Sequence, residues 1–288
     1  MTYRKILVPL SGTVSDRQSL AAAVVVARQF AGHVAGVFVR PDPAEALPYV
    51  GFGLSGAALQ DMIDAANKSA DEGSEKAHAV LKEAASGAKF EVVKNPGSRN
   101  EPTAEFRIVQ GRFAEVIERE TRLSDLVVFG QLKGNDVGPR AALEMVLISG
   151  SRPILYAPAA LPKNFAQRIA VGFDGSAAAG HSVTAAMPFL KRASGIELFE
   201  VTSGTKSPRT LDQLKNYLAL HGISSTEHII DPGSKPVGET LLSAVEKAGC
   251  DLLVMGGYGH SRIQEFVLGG VTRHVLSHAT NLPVLMAH

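Results

Sequence analysis

A chain of 288 residues is long for one compact domain and comfortable for two, so either half can bury its own core. A hydrophobic share of 45%, a charged share of 20% and a formal net charge of +1 give no broad basic or acidic bias, which excludes nucleic acid and anionic membrane as default partners. No apolar run approaches the roughly 18 residues of a membrane span, and the run within residues 1–10 is too short for a signal peptide, so the expected compartment is the cytoplasm.

In chain order, short apolar segments at 6–10, 34–39, 105–110, 126–129 and 154–156 read as strands, separated by longer amphipathic runs that include 57–85. The rhythm then repeats, with strands expected at 169–173, 196–201, 226–230, 252–255 and 284–287 and helices at 177–192, 208–221, 237–248 and 270–278. Alternating βα units of this kind imply a doubly wound α/β fold, each half a five-stranded, mainly parallel sheet with helices on both faces. The repeat is also visible in the residues: Lys5-Ile6-Leu7-Val8-Pro9-Leu10-Ser11-Gly12 answers to Arg168-Ile169-Ala170-Val171-Gly172-Phe173-Asp174-Gly175, and Asp125-Leu126-Val127-Val128-Phe129-Gly130 to Asp251-Leu252-Leu253-Val254-Met255-Gly256. A Pro/Ala-rich stretch separates the copies, giving expected domains at 1–158 and 168–288 joined by a linker at 159–167. The last strands of the two copies are expected to pair about a pseudo-two-fold axis, since edge strands need cover.

Ligands of such sheets bind beyond the carboxyl ends of the strands. Two segments of the second copy are placed there. Gly256, Gly259, Gly269 and Gly270 leave backbone N–H groups uncovered, the last pair where a helix begins, so donors and the positive end of the helix dipole can face one anion. Asp174 follows the first strand of the same copy and reads either as a ligand contact or as the N-cap of the helix near Ala177. His260, Ser261 and Arg262 lie between the glycines as phosphate contacts or as solvated side chains. Arg273, a cation in the first turn of a helix, opposes the dipole unless an anion accompanies it.

These residues resemble the universal stress protein family, whose nucleotide-binding members carry Gly-x2-Gly-x9-Gly-Ser/Thr after the fourth strand and an Asp after the first. Gly256, Gly259 and Gly269 match the glycines. Gly270 stands at the hydroxyl position, removing one phosphate hydrogen bond of the family pattern. The resemblance implies a tandem protein with a regulatory, stress-response role that binds ATP or a related adenine nucleotide in its second domain, through Asp174, Val201, Gly256, Gly259, Gly269, Gly270 and Val271. Val201 corresponds to a position beside the base, with a core role as its other reading. A divalent metal would arrive only with the nucleotide, and hydrolysis would be slow at most.

The first copy has been rewritten. Pro139-Arg140 stands opposite Gly269-Gly270, Ser11 replaces Asp174, and the glycines of 130–138 have lost the family spacing, so it is read as a degenerate copy that pairs with the second. Lys133 and Arg140 are its remaining candidates for an anion. The apolar, glycine-rich segment 41–56 reads as a surface loop, with covering a pocket or touching a partner as its other role. His221, His228, His260, His274, His278 and His288 have no metal-ligand spacing, Cys250 reads as a small buried core residue, and Ser11, Ser176 and Ser261 have no paired base, so no catalytic residue is assigned. Two further readings stand beside nucleotide binding: a nucleotide-free interaction scaffold with an unidentified protein partner or a second copy of itself, and an ATP-pyrophosphatase-type enzyme suggested by Ser11-Gly12-Thr13-Val14-Ser15-Asp16.

Overall fold

A computed structural model describes residues 2–42, 56–98, 100–132, 136–149, 152–158, 160–202, 210–258 and 270–288. The first half contains strands β1 (Lys5–Leu10), β2 (His33–Arg40), β3 (Glu91–Val92), β4 (Thr103–Gln110), β5 (Leu126–Gly130) and β6 (Ile154–Ala157). Its helices are α1 (Ser15–Phe30), α2 (Gly56–Ala88), α3 (Phe113–Thr121) and α4 (Val137–Ser149). The second half contains β7 (Arg168–Gly172), β8 (Gly195–Val201), β9 (Thr226–Ile230), β10 (Leu252–Gly256) and β11 (Val284–Ala287), with helices α5 (Ala177–Leu190), α6 (Thr210–Leu220), α7 (Val237–Lys247) and α8 (Gly270–His278).

All the strands join one sheet in the order β3-β4-β2-β1-β5-β6-β11-β10-β7-β8-β9. Apart from the short edge strand β3, which has no counterpart in the repeat, the two halves have the same order read outward from the centre. Neighbours are parallel everywhere except at β6 and β11, which run antiparallel with Leu155 opposite Leu285 and Ile154 opposite Met286. Leu155 and Leu285 each lie two residues past Pro153 and Pro283, so a pseudo-two-fold axis passes through this pair. The last strands therefore do what the repeat predicted, and two edges disappear into one sheet.

The apolar strands form because each is covered on both faces: Ile6, Leu7, Val8 and Leu10 are fully buried, as are Leu252, Leu253 and Val254. Side-chain alternation divides this burial into one cluster on each face of the sheet, and both clusters run through the two halves. On one face, Tyr3 and Phe30 of the first half meet Phe189 of α5 at ring-centroid distances of 5.1 Å each. Phe165, inside the segment expected as a linker, is buried against Phe189, and the Tyr3 hydroxyl donates to the Ala185 carbonyl at 2.6 Å.

Two polar devices occur in both copies. Asp125 accepts from the Arg4 and Lys5 N–H groups, and Asp251 accepts from those of Gln167 and Arg168. The buried Ser19 hydroxyl accepts from Gly130 N–H, while the buried Ser182 hydroxyl accepts from Ala287 N–H at 2.8 Å and donates to the Met255 carbonyl at 2.7 Å. Ser182 thereby ties α5 to β10 and β11. Ser182→Ala leaves the Ala287 N–H buried without a partner and is expected to lower stability by about 1–3 kcal/mol, read from the urea midpoint.

Candidate functional site

β7 connects through α5 to β8 on one side, whereas β10 lies on its other side. A crevice opens at that reversal, beyond the carboxyl ends of the strands, where doubly wound sheets take their ligands. It holds a cavity of about 310 Å3 lined by the ends of β7, β8 and β10 and the starts of α7 and α8. Asp174, Val201, Gly256, Gly270 and Val271 all line it, so the fold brings together residues far apart in sequence. Arg273 is exposed on the first turn of α8 and is not among the lining residues, while Gly259, His260, Ser261, Arg262 and Gly269 lie outside the described residues.

The wall opposite the glycines is apolar. Phe199 and Val201 of β8, Val237 and Leu241 of α7 and Met255 of β10 supply it, a surface suited to a flat apolar group rather than to a hydrated ion. Val201 both lines the cavity and packs against the core of that face, so its two readings coincide. Sequence reasoning missed Phe199, Val237, Leu241, Met255 and Thr272. The available signal was the period of two that places Phe199 on the same face as Val201.

Asp174 does not cap α5. Its Oδ1 accepts from the Ser176 N–H at 2.9 Å in a local turn, and Ser176 is the N-cap, its Oγ accepting from Ala179 N–H at 3.2 Å. The cap moves two residues because the Asp174-Gly175 turn, with Gly175 at φ +78°, intervenes between strand and helix. This leaves the Asp174 carboxylate exposed at the rim of the cavity.

Gly256 is required by packing. A Cβ there would stand 2.8 Å from the Ala179 nitrogen and 3.1 Å from the Ala178 carbonyl carbon, so only a residue without one lets α5 descend onto β10. At Gly270 a Cβ would meet no described residue within 4 Å, and Gly270, Val271 and Thr272 of the first turn of α8 line the crevice. Thr272, buried two residues further on, accepts from the Tyr258 N–H at 3.4 Å. Tyr258 holds a left-handed backbone, φ +61°, and burial raises the pKa of its hydroxyl, as does the nearby Glu144 of α4, while Arg273 lowers it. The root of the glycine loop thus touches the first half, where a Cβ on Gly257 would lie 3.0 Å from Leu147 of α4.

The corresponding turn of the first half is closed. Asp16 of α1 is buried and accepts from the N–H groups of Ser11 (3.0 Å) and Gly12 (2.8 Å) and from the Ser11 hydroxyl, so these donors already face a carboxylate. Burial raises the Asp16 pKa, against the lowering effect of those hydrogen bonds. Gly12, at φ +76°, lies under α2: a Cβ on it would be 2.7 Å from the Gly73 Cα. Pro139-Arg140 does not sit at the very start of its helix, where the glycine pair was expected in the second half. α4 begins at Val137 and contains both, because Pro139 falls in the first turn, where its missing N–H costs no helical bond. Lys133 lies outside the described residues.

Cys250 is half-buried rather than a core residue, beside Arg168 and Glu197. Burial, with Glu197, pushes its thiol up to about 11. His274 and His278 stack at 4.0 Å, and His228 bonds the buried Glu197 at 2.7 Å. Among the described residues no group of three potential ligands could hold a metal ion, and no helix is long and apolar enough to cross a membrane.

A family model described as the universal stress protein family matches residues 166–288, which contain the whole crevice. The fold is shared with a universal stress protein from Archaeoglobus fulgidus DSM 4304, at 16% identity and a TM-score of 0.66 over 100% of this chain and 99% of that one. It is also shared with a functionally unknown protein from Pseudomonas aeruginosa PAO1, at 14% identity and a TM-score of 0.56 over 98% of this chain and 92% of that one. No curated protein matches the sequence.

Proposed function

Since residues 166–288 of this chain belong to the universal stress protein family, we propose that the second half binds ATP or a related adenine nucleotide in the crevice, as a regulatory protein of the stress response. The observation that carries this reading is the junction, in one cavity, of an apolar wall with the first turn of α8. Phe199, Val201 and Leu241 would take the base, Asp174 a hydroxyl or ring nitrogen, and the α8 N-terminus the phosphates, where backbone donors and the helix dipole favour negative charge. Gly259, Gly269, His260, Ser261, Arg262 and Arg273 remain candidates for the phosphate side. A divalent metal would enter with the nucleotide, and no side chain in the described crevice is assigned a catalytic role.

The division at 1–158 and 168–288 enters this proposal with one nucleotide per chain. Asp16 satisfies the turn donors of the first half with a resident carboxylate, which supports a pairing role for that half. Calorimetric titration with ATP is expected to give a stoichiometry of one, and adenine nucleotide should be released when protein purified without added ligand is denatured. Absence of both would favour the nucleotide-free scaffold.

Two variants read the site directly. Asp174→Ala should weaken binding by about 0.5–1.5 kcal/mol, about two- to tenfold, as one lost hydrogen bond. Gly270→Ser places a hydroxyl where a Cβ meets no described residue within 4 Å and should tighten binding by about fivefold, the worth of one added hydrogen bond of about 1 kcal/mol. Unchanged affinity in both would remove these residues from the site.

A further inference from the structure

A second cavity, of about 370 Å3, lies on the opposite face of the sheet, between α5 and α6. The two cavities share Phe173, but this one is walled by Val183 and Leu214, which belong to the other core cluster, and by Thr184, Gln213 and Tyr217. None of the described residues that line it carries a charge.

The first half shows what keeps this space open. Arg17 of α1 and Gly180 of α5 each lie five residues past their turn glycine, from 12 to 17 and from 175 to 180. Arg17 spans to α2 and makes a two-pronged ion pair with Glu83 at 2.6 and 2.8 Å, bridging the two helices. Gly180 has no side chain to do so. Within a helix, glycine costs about 1 kcal/mol relative to alanine, and nothing in the described packing demands it: its φ is not left-handed, and a Cβ there would meet no atom within 4 Å. The cost leaves an open floor between α5 and α6.

We propose that this α5–α6 cavity is a second ligand site, taking an uncharged aromatic or alicyclic molecule that carries one or two hydroxyl or amide groups. Phe173, Val183, Leu214 and the Tyr217 ring offer it apolar surface. Gln213 donates and accepts, and the Thr184 hydroxyl, which donates to the Gly180 carbonyl at 3.0 Å, keeps acceptor capacity. The described lining offers hydroxyl and amide groups and no ionised partner, so an uncharged ligand is the one it matches. The site is independent of nucleotide binding in the crevice.

The test uses 2-naphthol as probe on the full chain without nucleotide, followed by methyl NMR. Saturable shifts of Val183 and Leu214 are expected in the wild type and, within about twofold in affinity, in Gly180→Ala, which preserves the space. Gly180→Arg fills it with a better helix former and should weaken binding more than tenfold while the protein stays folded. The proposal is overturned if the wild type shows no saturable shift, if the shifts fall on Val201 and Leu241 of the crevice instead, or if Gly180→Arg binds as well as the wild type.

Discussion

Replacing Val201 by phenylalanine is expected to lower adenine-nucleotide affinity by about five- to 150-fold. Val201 closes the end of β8 beside Phe199 and Leu241, on the apolar side of a cavity of about 310 Å3. A phenyl ring there occupies the volume assigned to the base, and overfilling a packed apolar site typically costs about 1–3 kcal/mol, which converts to the stated loss. In the unliganded protein the ring has the empty crevice to enter, so the thermal midpoint should stay close to that of the wild type. Titration calorimetry and a thermal melt on the same sample separate the two quantities. Wild-type affinity in a folded variant would place the base elsewhere.

Gly256→Val should act on stability first. Its Cβ would press on backbone atoms of α5, the Ala179 nitrogen at 2.8 Å, where no flexible side chain can yield. A loss of about 3 kcal/mol or more in urea unfolding is expected, at the upper end of overpacking costs. Nucleotide binding should fall with it, because α5 carries Ser176 and the turn that presents Asp174. Gly270→Val is the contrast: a Cβ there meets no described residue within 4 Å, so stability should change little. If the two variants were equally stable, the assignment of Gly256 to packing would be wrong.

That contrast also marks the limit of what the residues alone disclose. The glycine pattern brought Gly256 and Gly270 forward together, since both leave a backbone N–H uncovered, but the reason for each is set by what lies across from it in space. Strand and helix periods placed ten strands, α2 and the helices of the second half within a few residues, because the central strands are near-continuous apolar runs flanked by helices, while α1, α3 and α4 were given no bounds. β3 escaped because its two residues are exposed and carry no period. Val237 and Leu241 escaped because a helix entering a crevice looks the same in sequence as one covering a core. The capping reading of Asp174, the alternative to a ligand contact, belongs to Ser176, which offers the same capping chemistry, and only the turn geometry chooses between them.

The Leu155–Leu285 seam also has a meaning in mass action. Two separate subunits joined through such a pair of strands would come apart on dilution, whereas here partner and partner are one molecule, and the seam is exposed to the same effective concentration at every dilution. Its unfolding midpoint should therefore not depend on protein concentration. A symmetric dimer must also carry every substitution twice, once at each copy of the site. A duplicated chain is released from that constraint: Asp16 can close one turn while Asp174 stands open on the other, and neither change is imposed on its twin.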